Sequence, residues 1–186
     1  VMSYCSDRER SVVWGMNGGL PGIPHGVQVE RQGEEPEQLG TVFSNEPVEE
    51  GDFFVRPSSG GGGFGDPLER DPEKVKEDVV DDYVSVERAA TDYGVVIEEI
   101  DADLCEYEID HEATDEKREY IRENRHDWLE EDPEDVARRF RDGELSQLDL
   151  VRRYGVIVDR ETEELLPKTT EQFREMLQKR SAAHWE

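Results

Sequence analysis

Two textures divide the chain. Up to about residue 67 the apolar positions come in short β-prone pieces set off by glycine and proline, among them 26–30, 40–43 and 52–56. Stretch 49–52 reads as a turn and the polar stretch 31–38 as an exposed loop. From Asp71 onward apolar residues fall at helical spacing: Val75 and Val79 share one face, as do Val136 and Phe140. A further helix is predicted over 113–129, with Tyr120, Ile121, Asn124 and Trp128 along one side. A last helix is expected to open at Thr169, with Phe173, Met176 and Leu177 as a packing stripe.

The helical part repeats itself. Asp71-Pro72-Glu73-Lys74-Val75 recurs as Asp132-Pro133-Glu134-Asp135-Val136, Ser85 as Ser146, and Tyr93-Gly94-Val95-Val96 as Tyr154-Gly155-Val156-Ile157, always at an offset of 61. In each copy Asp71 or Asp132 is suited to cap a helix that starts with proline, and Ser85 or Ser146 to cap a second one. Gly94 or Gly155 then suits the left-handed position that ends it, before a β-branched run. The expected architecture is α+β: a β-rich segment over 1–67, then a helical region over 68–186. That region contains two helix–turn–helix–strand copies, 71–97 and 132–158.

Charge narrows the function. The chain carries 22 Lys or Arg against 48 Asp or Glu, a net charge of −26, which opposes nucleic-acid binding. With 34% hydrophobic and 38% charged residues, any core is modest and the surface strongly ionised. Only five of the basic residues are lysines (Lys74, Lys76, Lys117, Lys168 and Lys179). Excess carboxylate with little lysine suggests a cytoplasmic protein working in high salt, where charges are screened within about 3 Å at 1 M. No membrane span and no basic-then-apolar leader is visible. Cys5 and Cys105 have no zinc-like neighbours, and a reducing compartment is the simpler reading.

Candidate chemistry is sparse. Gly60, Gly61, Gly62 and Gly63 could cradle a phosphate or cofactor, but no Gly-Lys-Ser/Thr follows, and a loop where two backbones cross closely is the expected role. Asp101, Asp103, Glu106, Glu108 and Asp110, beside His111 and Glu112, lack the offsets of a calcium loop and read as a solvated face. Of His25, His111, His126 and His184, none pairs at i,i+4; His25 lies nearest a ligand-like turn, though a loop histidine is usually plain surface. No catalytic residue and no metal ligand can be assigned.

Three stretches carry a family resemblance: 14–22 with its Trp14-Gly15, Gly18-Gly19 and Pro21-Gly22; Gly60 to Pro67 running into Leu68-Glu69-Arg70-Asp71-Pro72-Glu73; and Asp78-Val79, Val84-Ser85, Ala89-Ala90 and Asp92-Tyr93-Gly94-Val95-Val96. In this order they resemble the C-terminal part of the hydantoinase B/oxoprolinase family over about residues 1–100. The later stretches 148–157 and 164–170 look more like its acetone carboxylase α branch. The resemblance implies a cytoplasmic, ATP-dependent, multi-subunit enzyme. In the α branch, a hydantoinase A-like β subunit activates substrates, a small γ subunit assists, and the α subunit with a divalent metal (manganese, zinc or iron) carboxylates acetone to acetoacetate. In the N-methylhydantoinase/5-oxoprolinase branch the same machinery opens a cyclic amide. The family's metal region lies upstream of anything matched here. The expectation is therefore a segment that binds no cofactor itself and packs on the rest of the α subunit or its partners, with no nucleic acid and no membrane. An alternative of another class is a stand-alone assembly module of a split enzyme.

Overall fold

The computed structural model describes residues 1–101 and 104–181. Five short strands occupy the N-terminal part: β1 (Met2–Cys5), β2 (Val27–Glu30), β3 (Glu37–Gly40), β4 (Val42–Glu46) and β5 (Phe53–Val55). They form two antiparallel sheets, β1–β4 and β3–β2–β5, and the central strand buries Val27 and Val29. Two expectations are corrected here. The stretch 31–38 is not all loop, because Glu37 and Gln38 open β3 against β2. The stretch 40–43 is not one strand, because the chain changes sheets at Gly40–Thr41. Gly40 has φ +71°, the Glu9 carboxylate lies 2.7 Å from where a Cβ would sit, and the Thr41 hydroxyl donates to that carboxylate at 3.0 Å. A left-handed glycine tied to Glu9 ends one strand and aims the next elsewhere.

The helical part runs α1 (Pro72–Val80), α2 (Val86–Asp92), β6 (Val96–Asp101), β7 (Glu106–Asp110), α3 (His111–Asn124), α4 (Pro133–Arg141), α5 (Gln147–Arg152) and α6 (Pro167–Ser181). Short 3-10 turns at Pro67–Glu69 and Asp127–Leu129 precede α1 and α4. Asp71 and Asp132 accept the N–H of Glu73 and Glu134 at 3.0 and 2.9 Å, and Ser85 and Ser146 accept those of Arg88 and Asp149, both at 3.1 Å. Gly94 and Gly155 close α2 and α5 at φ +64° and +62°.

The two apolar cores correspond position by position at the same offset. Val75, Val79, Ala89, Val95 and Ile97 pack together in one; Val136, Phe140, Leu150, Val156 and Val158 in the other. The correspondence continues into α3 and α6, where the offset falls to 56. Thr114 Oγ1 accepts the Val96 N–H at 3.0 Å, and Thr170 Oγ1 accepts the Ile157 N–H at 3.0 Å. Arg118 Nε donates to the Tyr93 carbonyl at 3.1 Å, and Arg174 Nε to the Tyr154 carbonyl at 3.0 Å. Each unit is thus a 3-10 turn, two short helices, a glycine, a hairpin and a longer helix that seals the whole.

The second unit departs from the expected strand. Val158 makes only an isolated bridge to Leu165, where the first unit has the β6–β7 hairpin with Ile97 opposite Ile109. Its hairpin is cut short by Asp159, whose carboxylate accepts the N–H groups of Glu161 and Thr162 in a tight turn. The helix expected over 113–129 stops at Asn124, whose side-chain amide bonds the Tyr120 carbonyl at 2.8 Å; the chain then re-enters as a 3-10 turn that buries Leu129. The last helix opens at Pro167 rather than Thr169, with proline at its first position, where no N–H is needed.

Candidate functional site

The glycine-rich loop lies directly on the segment 14–23. Met16 N–H donates to the Gly63 carbonyl (2.8 Å), Gly63 N–H to that of Leu20 (2.8 Å), Gly65 N–H to that of Met16 (2.9 Å) and Ile23 N–H to that of Ser59 (2.9 Å). A Cβ on Gly62 would stand 1.7 Å from the Trp14 carbonyl oxygen, and one on Gly19 would stand 2.0 Å from that of Gly63. Two glycine runs therefore clasp backbone to backbone, at a distance no side chain allows. Gly62 and Gly63 sit inside this clasp, whereas Gly60 and Gly61 face open space. The N–H groups of Gly60, Gly63 and Gly65, which a phosphate cradle would need, are engaged by Ser58 Oγ, Leu20 and Met16.

His25 is not surface. It is 5% exposed, its Nε2 shares a hydrogen bond with Ser6 Oγ at 3.2 Å, and its Nδ1 is buried without a partner. Burial, reinforced by the guanidiniums of Arg56, Arg160 and Arg8, holds its pKa below the ordinary histidine value and keeps it neutral. The carboxylates Asp101, Glu106, Glu108 and Asp110 belong to the β6–β7 hairpin; Asp103 and His184 lie outside the described residues. His111 opens α3, and His126 precedes the second 3-10 turn. Cys5 and Cys105 are both exposed and share no disulfide. Among the described residues no three His, Cys, Asp or Glu side chains converge as metal ligands, so this part of the chain does not supply the donor set that the implied divalent metal needs.

The most enclosed space is a cavity of about 450 Å³ between the two helical units. Equivalent positions of both units face it: Leu68 and Leu129, Thr91 and Arg152, Asp92 and Arg153, Ile121 and Leu177. The units meet beside it through α2 and α5. Arg88 donates to Asp149, its own counterpart at offset 61, at 3.2 Å, and to Ser146 Oγ at 2.7 Å, while Arg152 donates to Asp92 at 2.5 Å. Burial works to raise the Asp149 pKa, but the Ser146 hydroxyl and the Arg88 guanidinium outweigh it and hold the carboxyl below its ordinary range. Arg118 and Arg174 are shifted downward by burial and secured by the backbone carbonyls of Arg70 and Tyr93, and of Glu131 and Tyr154. The cavity-lining Lys117, Arg125 and Arg153 carry no motif that sequence reading picked out. The sealing residues had a signal, Thr-x-x-x-Arg at 114–118 and again at 170–174.

The hydantoinase B/oxoprolinase family model matches residues 1–67, the part that contains both halves of the glycine clasp. The chain carries a hydantoinase B/oxoprolinase segment. Relatives of this family continue the likeness past residue 67. A putative D-/L-hydantoinase of the B type from Pseudomonas sp. (strain NS671) is 32% identical over 114 residues, 61% of this chain and 18% of its own length. The acetone carboxylase alpha subunit of Xanthobacter autotrophicus is 36% identical over 84 residues, 45% of this chain and 11% of its own. A solved acetone carboxylase, in its nucleotide-free form, shares the fold over 89% of this chain and 25% of its own, with a TM-score of 0.51 at 20% identity. The chain thus spans less than a fifth of these curated relatives. The glycine clasp and the helical region both belong to this shared fold. No helix among the described residues is long and apolar enough to cross a membrane.

Proposed function

We propose that the chain is a segment of the α subunit of an ATP-dependent ketone carboxylase that converts acetone to acetoacetate in a multi-subunit complex, and that its own part is packing and subunit contact. The identity with the Xanthobacter acetone carboxylase alpha subunit carries this reading. The solved acetone carboxylase supports it by sharing the fold through both helical units. In this reading ATP and the divalent metal are held elsewhere in a cytoplasmic complex, by the rest of the α subunit, a hydantoinase A-like β subunit and a small γ subunit. The residues of the present chain build a rigid platform of two sealed helical units clasped to a β-rich base.

A second reading, ATP-dependent opening of a cyclic amide by an N-methylhydantoinase or 5-oxoprolinase, is favoured by the longer match, 114 residues, to the Pseudomonas hydantoinase. The two part on substrate. The complex reconstituted with its partner subunits is given ATP and either acetone with labelled bicarbonate or N-methylhydantoin and 5-oxoproline. Labelled acetoacetate supports the carboxylase, and ring opening without carbon fixation supports the amidohydrolase. If the chain mixed with separately made remaining subunits restores activity, it works as an assembly module of a split enzyme. Acetone-dependent ATP hydrolysis by the chain alone would overturn the packing role.

A further inference from the structure

The cavity between the helical units holds chemistry that a packing role leaves unused. Five cationic side chains line it, Lys117, Arg122, Arg125, Arg152 and Arg153, against four carboxylates. Glu69, Asp66 and Asp92 engage Arg122, Arg125 and Arg152, and the fourth carboxylate, Asp149, is taken by Arg88. Lys117 and Arg153 have no carboxylate partner among the described residues and lie on aromatic rings instead, Arg153 3.9 Å over Trp128 and Lys117 over Tyr120. The Nε atoms of Arg125 and Arg153 are buried without a hydrogen-bond acceptor. In a chain of net charge −26, unpaired cations and orphaned guanidinium donors around one enclosed space are unexpected. The remaining wall is apolar, with Leu68 and Leu129 opposite one another by the repeat and the Trp128 ring beside them. The volume suits a small molecule, within the roughly 300–1,000 Å³ of typical ligand pockets.

We propose that this cavity binds a small organic anion. Its carboxylate or phosphate group is held by Arg153 and Arg125, with Lys117 adding charge, and its flat apolar body lies between Trp128 and the leucine wall. The inference does not rest on the carboxylase reading. It is tested by titration calorimetry of the full chain with benzoate, phenyl phosphate, inorganic phosphate and benzyl alcohol. Benzoate, phenyl phosphate or both are expected to bind about tenfold or more tightly than benzyl alcohol and inorganic phosphate, and preference for one names the headgroup. Arg153→Gln should weaken that binding about tenfold. Lys117→Gln, a change at a partly exposed side chain that leaves the fold intact, should weaken it several-fold. Arg138→Gln, on the exposed face of α4, should not. Absence of binding by both aryl anions overturns the proposal. So does benzyl alcohol or inorganic phosphate binding as tightly as the aryl anions, or unchanged binding in Lys117→Gln.

Discussion

Thr170→Val removes one hydroxyl from the centre of the second helical unit and changes little else. The residue is 1% exposed; its Oγ1 accepts the Ile157 N–H at 3.0 Å and donates to the Ile157 carbonyl at 3.3 Å. Valine has nearly the same shape, so no cavity opens. The Ile157 carbonyl keeps a partner, the Leu166 N–H at 2.9 Å. What is lost is the acceptor for a fully buried N–H, a cost of about 1–3 kcal/mol. With a urea slope of about 2 kcal/mol/M, the unfolding midpoint falls by about 0.5–1.5 M. Thr114→Val makes the same change in the first unit, but Val96 is only half-buried, so water replaces part of the loss and the drop is smaller. The two residues serve separate cores, so the double variant should be additive to about 0.5 kcal/mol. The assay is urea unfolding followed by circular dichroism in about 1 M KCl, where self-repulsion is screened. A Thr170→Val midpoint within about 0.25 M of the parent would refute the assignment of Thr170 as the buried acceptor that seals the unit.

Further outcomes follow from the clasp, the buried histidine and the charge. Gly62→Ala should lower stability by about 2 kcal/mol or more, because its Cβ meets the Trp14 backbone, whereas Gly61→Ala, with nothing near, should stay within about 0.5 kcal/mol; equal midpoints contradict the clasp. His25 has a lowered pKa in the folded chain, so the unfolded chain binds the proton first. Its contribution is therefore complete above about pH 6.5 and falls as pH drops through that value. Unfolding midpoints between pH 5.5 and 7.5 should slope upward in the parent and flatten in His25→Gln, and an unchanged slope argues against its burial as a neutral ring. With a net charge of −26, the midpoint should also rise from low salt to about 1 M KCl, and a flat profile removes the halophilic reading.

The parts of the fold legible in the sequence are those set by local chemistry at constant spacing. Asp71 and Asp132, Ser85 and Ser146, and Gly94 and Gly155 announce caps and stops that need only a few neighbours. The equivalence of α3 and α6 was hidden because Asp159 shortens the second hairpin and breaks the offset of 61, so Thr114 and Thr170 fall out of register in a gapless comparison. The sheet switch at Gly40 was hidden because it depends on Glu9, far away in the chain. The glycine runs around Gly19 and Gly62 signal close approach, but not that each is the other's partner. The cavity was least legible of all. With 48 acids in the chain, nothing local tells which guanidiniums end beside a carboxylate and which, like Arg153, end over a ring.

The meeting of Arg88 with Asp149 bears on how such a molecule could arise. A contact in which one position touches its own counterpart is the mark of a symmetric dimer, and in a dimer of identical chains that position must carry the same side chain twice. Arginine would then face arginine, or aspartate face aspartate, and the pairing at 3.2 Å would be repulsive. Tandem duplication within one chain lifts that restriction, since each copy can mutate alone. The same freedom places Asp92 opposite Arg153 at matching positions of the cavity wall. An interface that symmetry would have kept neutral or self-repelling becomes polarised once its halves are inherited as one gene product.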